Sequence, residues 1–164
     1  MSPDAYTSWL TRVLAWLIDW VGPLIISAIG IIYFFIDASK QVTECITPES
    51  EYDLGEFCMS GNQGWTTTGL IVLLLTSLIS LAFAIWNYGL KQGTTGSSIG
   101  KGIMKFKVVS EETRRPIGFA MSIVRQLAHA IDVAICYIGY LFPLWDAKRQ
   151  TIADKLIKTI CLPI

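Results

Sequence analysis

The sequence predicts an all-α, multi-pass membrane protein: two full transmembrane helices, a third hydrophobic stretch forming a helical hairpin or re-entrant pair, and a small cytoplasmic β-element. Three observations predict it. The 164 residues are 52% hydrophobic and 16% charged, with a mean hydropathy of +0.50, too apolar for an ordinary soluble domain. Two long apolar runs are separated by polar loops. The net charge of zero conceals one acidic loop and one basic loop, which orients the chain across a bilayer. Nucleic acid is not indicated, and the length suits one membrane domain over 1–164 without a separate soluble catalytic domain.

The first span is placed at about 13–36. It is apolar except for Asp19 and Ser27, and its 24 residues would cover about 36 Å of helix against a hydrocarbon core of roughly 30 Å. It lacks the basic start and small-residue cleavage site of a secretory signal, so it is read as an uncleaved span, kinked at Pro23. The second, at about 69–88, is rich in Leu and Ile, with Trp65 before it and Trp86 and Tyr88 at its far end as interfacial anchors.

Between the spans, Asp37 to Gly64 carries six acidic residues and one lysine, whereas Leu90 to Pro116 carries six basic residues and two glutamates. The positive-inside rule places the loop 37–64 outside, the loop 90–116 in the cytoplasm and the amino terminus in the cytoplasm. Cys45 and Cys58 lie in the outward loop, where disulfides persist, and are expected to bridge an otherwise unstructured segment. Zinc is the poorer reading, since the loop has no histidine. Cys136 and Cys161 are expected to be reduced.

The stretch 117–145 contains Arg125, His129 and Asp132, then an apolar half broken by Gly139 and Pro143. One crossing would put the tail 146–164 outside, yet that tail carries Lys148, Arg149, Lys155 and Lys158. A hairpin or re-entrant pair returns it to the cytoplasm. Two short runs with strand-like alternation, Met104 to Ser110 and Thr159 to Pro163, are expected to pair, with a turn at Glu112 to Pro116 leading into a further strand or the third stretch.

The octapeptide Arg12-Val-Leu-Ala-Trp-Leu-Ile-Asp19 returns as Arg125-Gln-Leu-Ala-His-Ala-Ile-Asp132. Seven residues are two helical turns, so each copy sets arginine and aspartate on one face, about 10 Å apart along the axis. Arg12 has a simple explanation, snorkelling to headgroups; Asp19 needs a partner or a proton. Parallel helices would set Asp19 level with Asp132, sharing a proton or cation; antiparallel ones would cross Arg12 to Asp132 and Arg125 to Asp19. His129, the one histidine, reads first as a structural hydrogen-bonding group.

Gly93 to Lys101 is not a phosphate-binding loop: Thr95 stands where the first motif glycine belongs, and Gly102 replaces the magnesium-binding hydroxyl. Its glycines read as turns, with Lys101, Lys105 and Lys107 meeting anionic headgroups at the membrane surface. No GxSxG, HExxH or paired CxxC is present, so no enzyme activity, cofactor or metal site is assigned.

Arg12 and Asp19 in the first helix, the run GTTGSSIGKGIMKFKVVS (Gly93 to Ser110) and the closing WDAKRQTIADKLIKT (Trp145 to Thr159) together resemble the RDD family of small bacterial integral membrane proteins, over nearly the whole chain. The outward cysteine pair resembles actinobacterial members. The resemblance implies a bacterial membrane protein, and with the charge pattern the expected place is the plasma membrane, multi-pass, with both termini cytoplasmic. It carries the family's arginine and first aspartate onto Arg12 and Asp19, and its second aspartate onto Asp154 or Asp146, leaving Asp132 unassigned. The candidate buried charge site is therefore Arg12, Asp19, Arg125, His129, Asp132 and Asp154. Two functions are carried forward: an accessory or scaffold component of a larger membrane transport assembly, or a self-associating proton or cation exchanger using buried aspartates. A lipid-surface role for the basic loop is the third and weakest.

Overall fold

Backbone groups have no water to bond to in hydrocarbon, so apolar runs of this length close their hydrogen bonds internally as helices. The computed structural model describes residues 5–46 and 57–164, so the acidic residues Glu49, Glu51, Asp53 and Glu56 of the expected outward loop lie outside the described residues. Among the described residues, two helices are long and apolar enough to cross a membrane: α1 (Trp9–Ala38) and the helical run Thr67–Thr95. The 30 residues of α1 extend about 45 Å, and the helix continues through Pro23. Both runs exceed the expected 13–36 and 69–88 at each end. The second run is composite: α2 (Thr67–Ala84), a π-helical segment (Ile85–Lys91), then α3 (Gln92–Thr95).

The chain divides into two compact units, Met1–Pro23 with Leu81–Ile164, and Leu24–Ser80. In the second unit, α1 and α2 meet through small residues. Ser27 and Ser80 share a 3.0 Å hydrogen bond, and a Cβ added at Gly30 would overlap Thr76. The segment between these helices is not an unstructured loop held by a bridge. It contains an antiparallel hairpin, β1 (Gln41–Ile46) and β2 (Phe57–Asn62), in which Cys45 lies opposite Cys58 and is disulfide-bonded to it.

The first unit is built on a second hairpin, β3 (Phe106–Ser110) with β4 (Thr159–Pro163), antiparallel with Val108 opposite Cys161. Alternation sends Phe106 and Val108 to one face, where they bury with Cys161 against Ala15 of α1; Val109 and Ile160 bury with Tyr6 on the other. A short helix precedes each strand, α4 (Ile99–Ile103) before β3 and α7 (Ile152–Ile157) before β4. The turn after β3 leads into α5 (Gly118–Ala134), so no further strand forms there. Left-handed backbone at Cys136 and Tyr137 stops that direction. The chain resumes as α6 (Ile138–Leu141) and a single 3-10 turn (Phe142–Leu144), bent 106° from α5, the geometry of a broken span or a re-entrant loop. Cys136 and Cys161 are free thiols.

Candidate functional site: three buried carboxylates

Thr151-Ile-Ala-Asp154 is a capping box. The Thr151 hydroxyl accepts the Asp154 N–H at 3.0 Å, and the Asp154 carboxylate accepts the Thr151 N–H at 3.3 Å. This fixes the carboxylate at the start of α7, with its side chain fully buried. Both arginines of the repeated octapeptide converge on it. Arg12 Nη1 reaches Oδ2 at 3.0 Å, and Arg125 brings Nε and Nη2 to Oδ1 at 2.8 and 2.7 Å. The Thr159 hydroxyl donates to Oδ1 at 2.9 Å. Nε and Nη2 of Arg12 stay buried without a hydrogen-bond partner, so the cluster is saturated on its carboxylate side only.

Burial raises the Asp154 pKa, but Arg125 and then Arg12 outweigh it and hold the group below its ordinary value of 3.8. The unfolded chain therefore binds the proton more tightly. The stabilisation is complete above the ordinary value and is lost as pH falls through the depressed one.

The repeat's own aspartates go elsewhere, so neither the shared Asp19–Asp132 site nor the crossed salt bridges form. Asp19 Oδ1 accepts from Asn87 Nδ2 at 2.8 Å and from the Gly100 N–H at 2.7 Å; Oδ2 accepts from Ser98 Oγ at 2.5 Å. Asn87 lies on the π-helical segment, and its Oδ1 accepts the Ile99 N–H at 2.9 Å, joining the second helical run to α4. Only glycine fits at position 100: a Cβ there would collide with the Ala15 carbonyl. Asp132 Oδ2 meets His129 Nδ1 at 2.7 Å, and its Oδ1 accepts the Ala153 N–H at 3.3 Å. The His129 ring stacks on Tyr140 with centroids 5.3 Å apart.

A structural correspondence underlies these two sites. Ser98 caps α4 and Thr151 caps α7; Asp19 accepts the N–H two residues past the first cap, and Asp132 the N–H two residues past the second. The offset from Ser98 to Thr151 equals that from Val108 to Cys161, which face each other across β3 and β4. Two halves, α1 with α4–β3 and α5 with α7–β4, are thus related by a local two-fold through the hairpin. Among the positions at which they differ, Lys101 stands where the other half has Asp154.

Lys101 turns inward toward Asp19. Its side chain is 12% exposed, and Nζ lies 3.9 Å from Asp19 Oδ2, 3.1 Å from Ser98 Oγ and 4.9 Å from the centre of the Tyr88 ring. Burial, then the charge of Arg125, outweigh Asp19 and bring its pKa down to about 8. Tyr88 is correspondingly turned inward, its hydroxyl buried, rather than serving as an interfacial anchor. Lys105 is exposed and Lys107 half-buried. Asp146 pairs with Lys155 at 2.6 Å and takes no part in the arginine cluster. Among the described residues no group of three His, Cys, Asp or Glu side chains could hold a metal ion. Asn87, Ser98 and Gly100 are site residues that the sequence alone does not single out.

The RDD family model matches residues 6–158. The chain belongs to the RDD family. A protein named "Proline-rich antigen homolog" from Mycobacterium tuberculosis is 53% identical over 164 residues, all of this chain and 66% of that protein. The "Proline-rich antigen" of Mycobacterium leprae is 48% identical over 161 residues, 98% of this chain and 62% of that protein. This RDD chain thus spans just under two thirds of the length of these mycobacterial relatives, which are actinobacterial as the cysteine pair implied. No solved structure matches.

Replacing Asp154 by Asn would leave two buried guanidinium groups without their counter-charge. The expected loss is about 3–5 kcal/mol of stability, read as a lowered unfolding midpoint in detergent. Glu112→Gln removes an exposed pair with Lys158 and is expected to cost less than about 1 kcal/mol.

Proposed function

We propose that this RDD protein is an accessory or scaffold component of a membrane transport system, its buried charges fixing helix packing and partner choice rather than carrying ions. The observation that carries this reading is the state of Asp154. A carboxylate held between two arginines, a hydroxyl and a backbone N–H has no acceptor left for a transported proton or cation. Asp19 and Asp132 are likewise engaged by donors of the same unit. The two membrane-type helices keep most of their apolar surface exposed, available to lipid or to other subunits. That the assembly concerns transport rests on the family resemblance. No enzyme activity is assigned.

Affinity purification in gentle detergent is expected to recover one larger membrane assembly in fixed stoichiometry that survives size-exclusion chromatography. Recovery of the bait alone would contradict the scaffold.

A second reading, a self-associating proton or cation exchanger, has one observation in its favour. Lys101, with a pKa of about 8, sits beside Asp19, so a proton could leave the ammonium near neutrality without unfolding. Reconstituted in liposomes under a sodium gradient, such a protein would move protons, and Asp19→Asn would abolish the movement. An Asp19→Asn protein as active as the unsubstituted one would remove Asp19 from any such role.

A further inference from the structure

The break between α5 and α6 falls where the residues do not ask for one. Ala134-Ile-Cys-Tyr-Ile138 holds neither glycine nor proline, and the expected breakers, Gly139 and Pro143, lie beyond it. Yet Cys136 and Tyr137 both adopt left-handed backbone, with φ 54° and 64°. One left-handed residue, usually glycine, ends many helices, whereas two in succession that carry side chains are strained. Such a bend persists only where surrounding contacts impose it.

The contacts that impose it are made by α6. Gly139 sits directly on Asp132, since a Cβ added there would overlap Oδ1. The Tyr140 ring stacks on His129, with centroids 5.3 Å and planes 15° apart. The Tyr140 carbonyl accepts the Trp9 indole N–H at 2.7 Å, tying α6 to the start of α1. A helix of four residues is too short to hold its own shape, and Ile138 and Leu141 leave its other side 53% and 40% exposed. A short element is thus pinned on one side against backbone strain.

What α6 covers is an acid–base pair. His129 Nδ1 meets Asp132 Oδ2 at 2.7 Å, the Asp132 side chain is wholly buried, and His129 is the one histidine of the chain. The charges of Arg125 on α5 and Asp154 on α7 also act on the imidazole, while the Ala153 N–H of α7 holds Asp132 Oδ1 at 3.3 Å. We propose that α6 is a hinged lid over the His129–Asp132 pair: it swings open about Cys136 and Tyr137, relieving their strain, and only then do water and protons reach the pair. Gly139 is then the residue that lets the lid close, rather than the one that breaks the helix. The lid rests on neither functional reading, since both leave α6 unassigned.

Hydrogen exchange of the full chain in detergent, read by mass spectrometry, tests this. Amides of residues 137–142 are expected to be about tenfold or more less protected than those of 122–132 in α5. Cys136→Gly, on an exposed side chain, removes strain from the closed form and should protect 137–142 about threefold more. Trp9→Phe, which removes the indole bond, should protect them about fivefold less. The direction decides: in a merely frayed turn glycine would add freedom and lower protection, which would overturn the lid. Protection of α6 equal to that of α5 in all three proteins would overturn it too. Carbethoxylation of His129 by diethyl pyrocarbonate, followed in its own peptide, ties the lid to the pair. It should slow in Cys136→Gly and quicken in Trp9→Phe by the same factors, whereas equal rates in all three proteins would show that α6 does not guard the pair and would overturn the proposal.

Discussion

One carboxylate held between two guanidinium groups sets the geometry of the first unit. Asp154 is at the start of a six-residue helix too short to be stable alone, while Arg12 and Arg125 come from two much longer helices. Moving any of the three elements would expose a buried charge to an apolar surrounding, which costs several kcal/mol. The three therefore lock one another. Around them the formal charges close: Arg12, Arg125 and Lys101 balance Asp19, Asp132 and Asp154, each carboxylate side chain wholly buried. A neutral set of this kind can sit at a membrane protein's core where a single charge could not.

The local two-fold explains why the arrangement needs two copies of the arginine-aspartate helix. Each copy sends its aspartate to a nearby capped helix, Asp19 to α4 and Asp132 to α7, anchoring a helix-strand unit beneath it. The two strands then pair with each other, so each anchored unit supports the other. The halves diverge where Lys101 replaces the carboxylate of Asp154. A second carboxylate there would bring four acids to two cations, whereas lysine beside Asp19 preserves balance. The arginines are thus freed to meet at one shared counter-ion, the feature that separates this cluster from a pair of independent salt bridges.

Much of this is legible in the residues, though unevenly. The apolar runs and the β3–β4 alternation speak directly, because helix length and period-two burial are written in single residues. The repeated octapeptide correctly marks Arg12 and Arg125 as related, yet spacing within a helix says nothing about a partner on another. The signal for that partner is present: Thr151-Ile-Ala-Asp154 satisfies the capping-box pattern, which places an acid at a helix start. Asn87 is hidden because a π-helical segment shifts side chains off the 3.6-residue period. Lys101 reads as a surface cation since its glycine-rich neighbourhood resembles a solvated turn. Gly100 is there for the opposite reason, letting α4 approach α1 closely enough to bring the lysine inward. The β1–β2 hairpin is obscured because strands such as Phe57–Asn62 carry serine and glycine, and its register is pinned by cysteines distant in sequence.

Whether the shared carboxylate is the keystone is tested most directly by a double-mutant cycle between Arg12→Met and Asp154→Asn, read by chemical unfolding in detergent. A coupling energy of about 1–3 kcal/mol is predicted, the double variant losing less than the sum of the singles. Strict additivity, with no coupling between the two positions, would contradict the account.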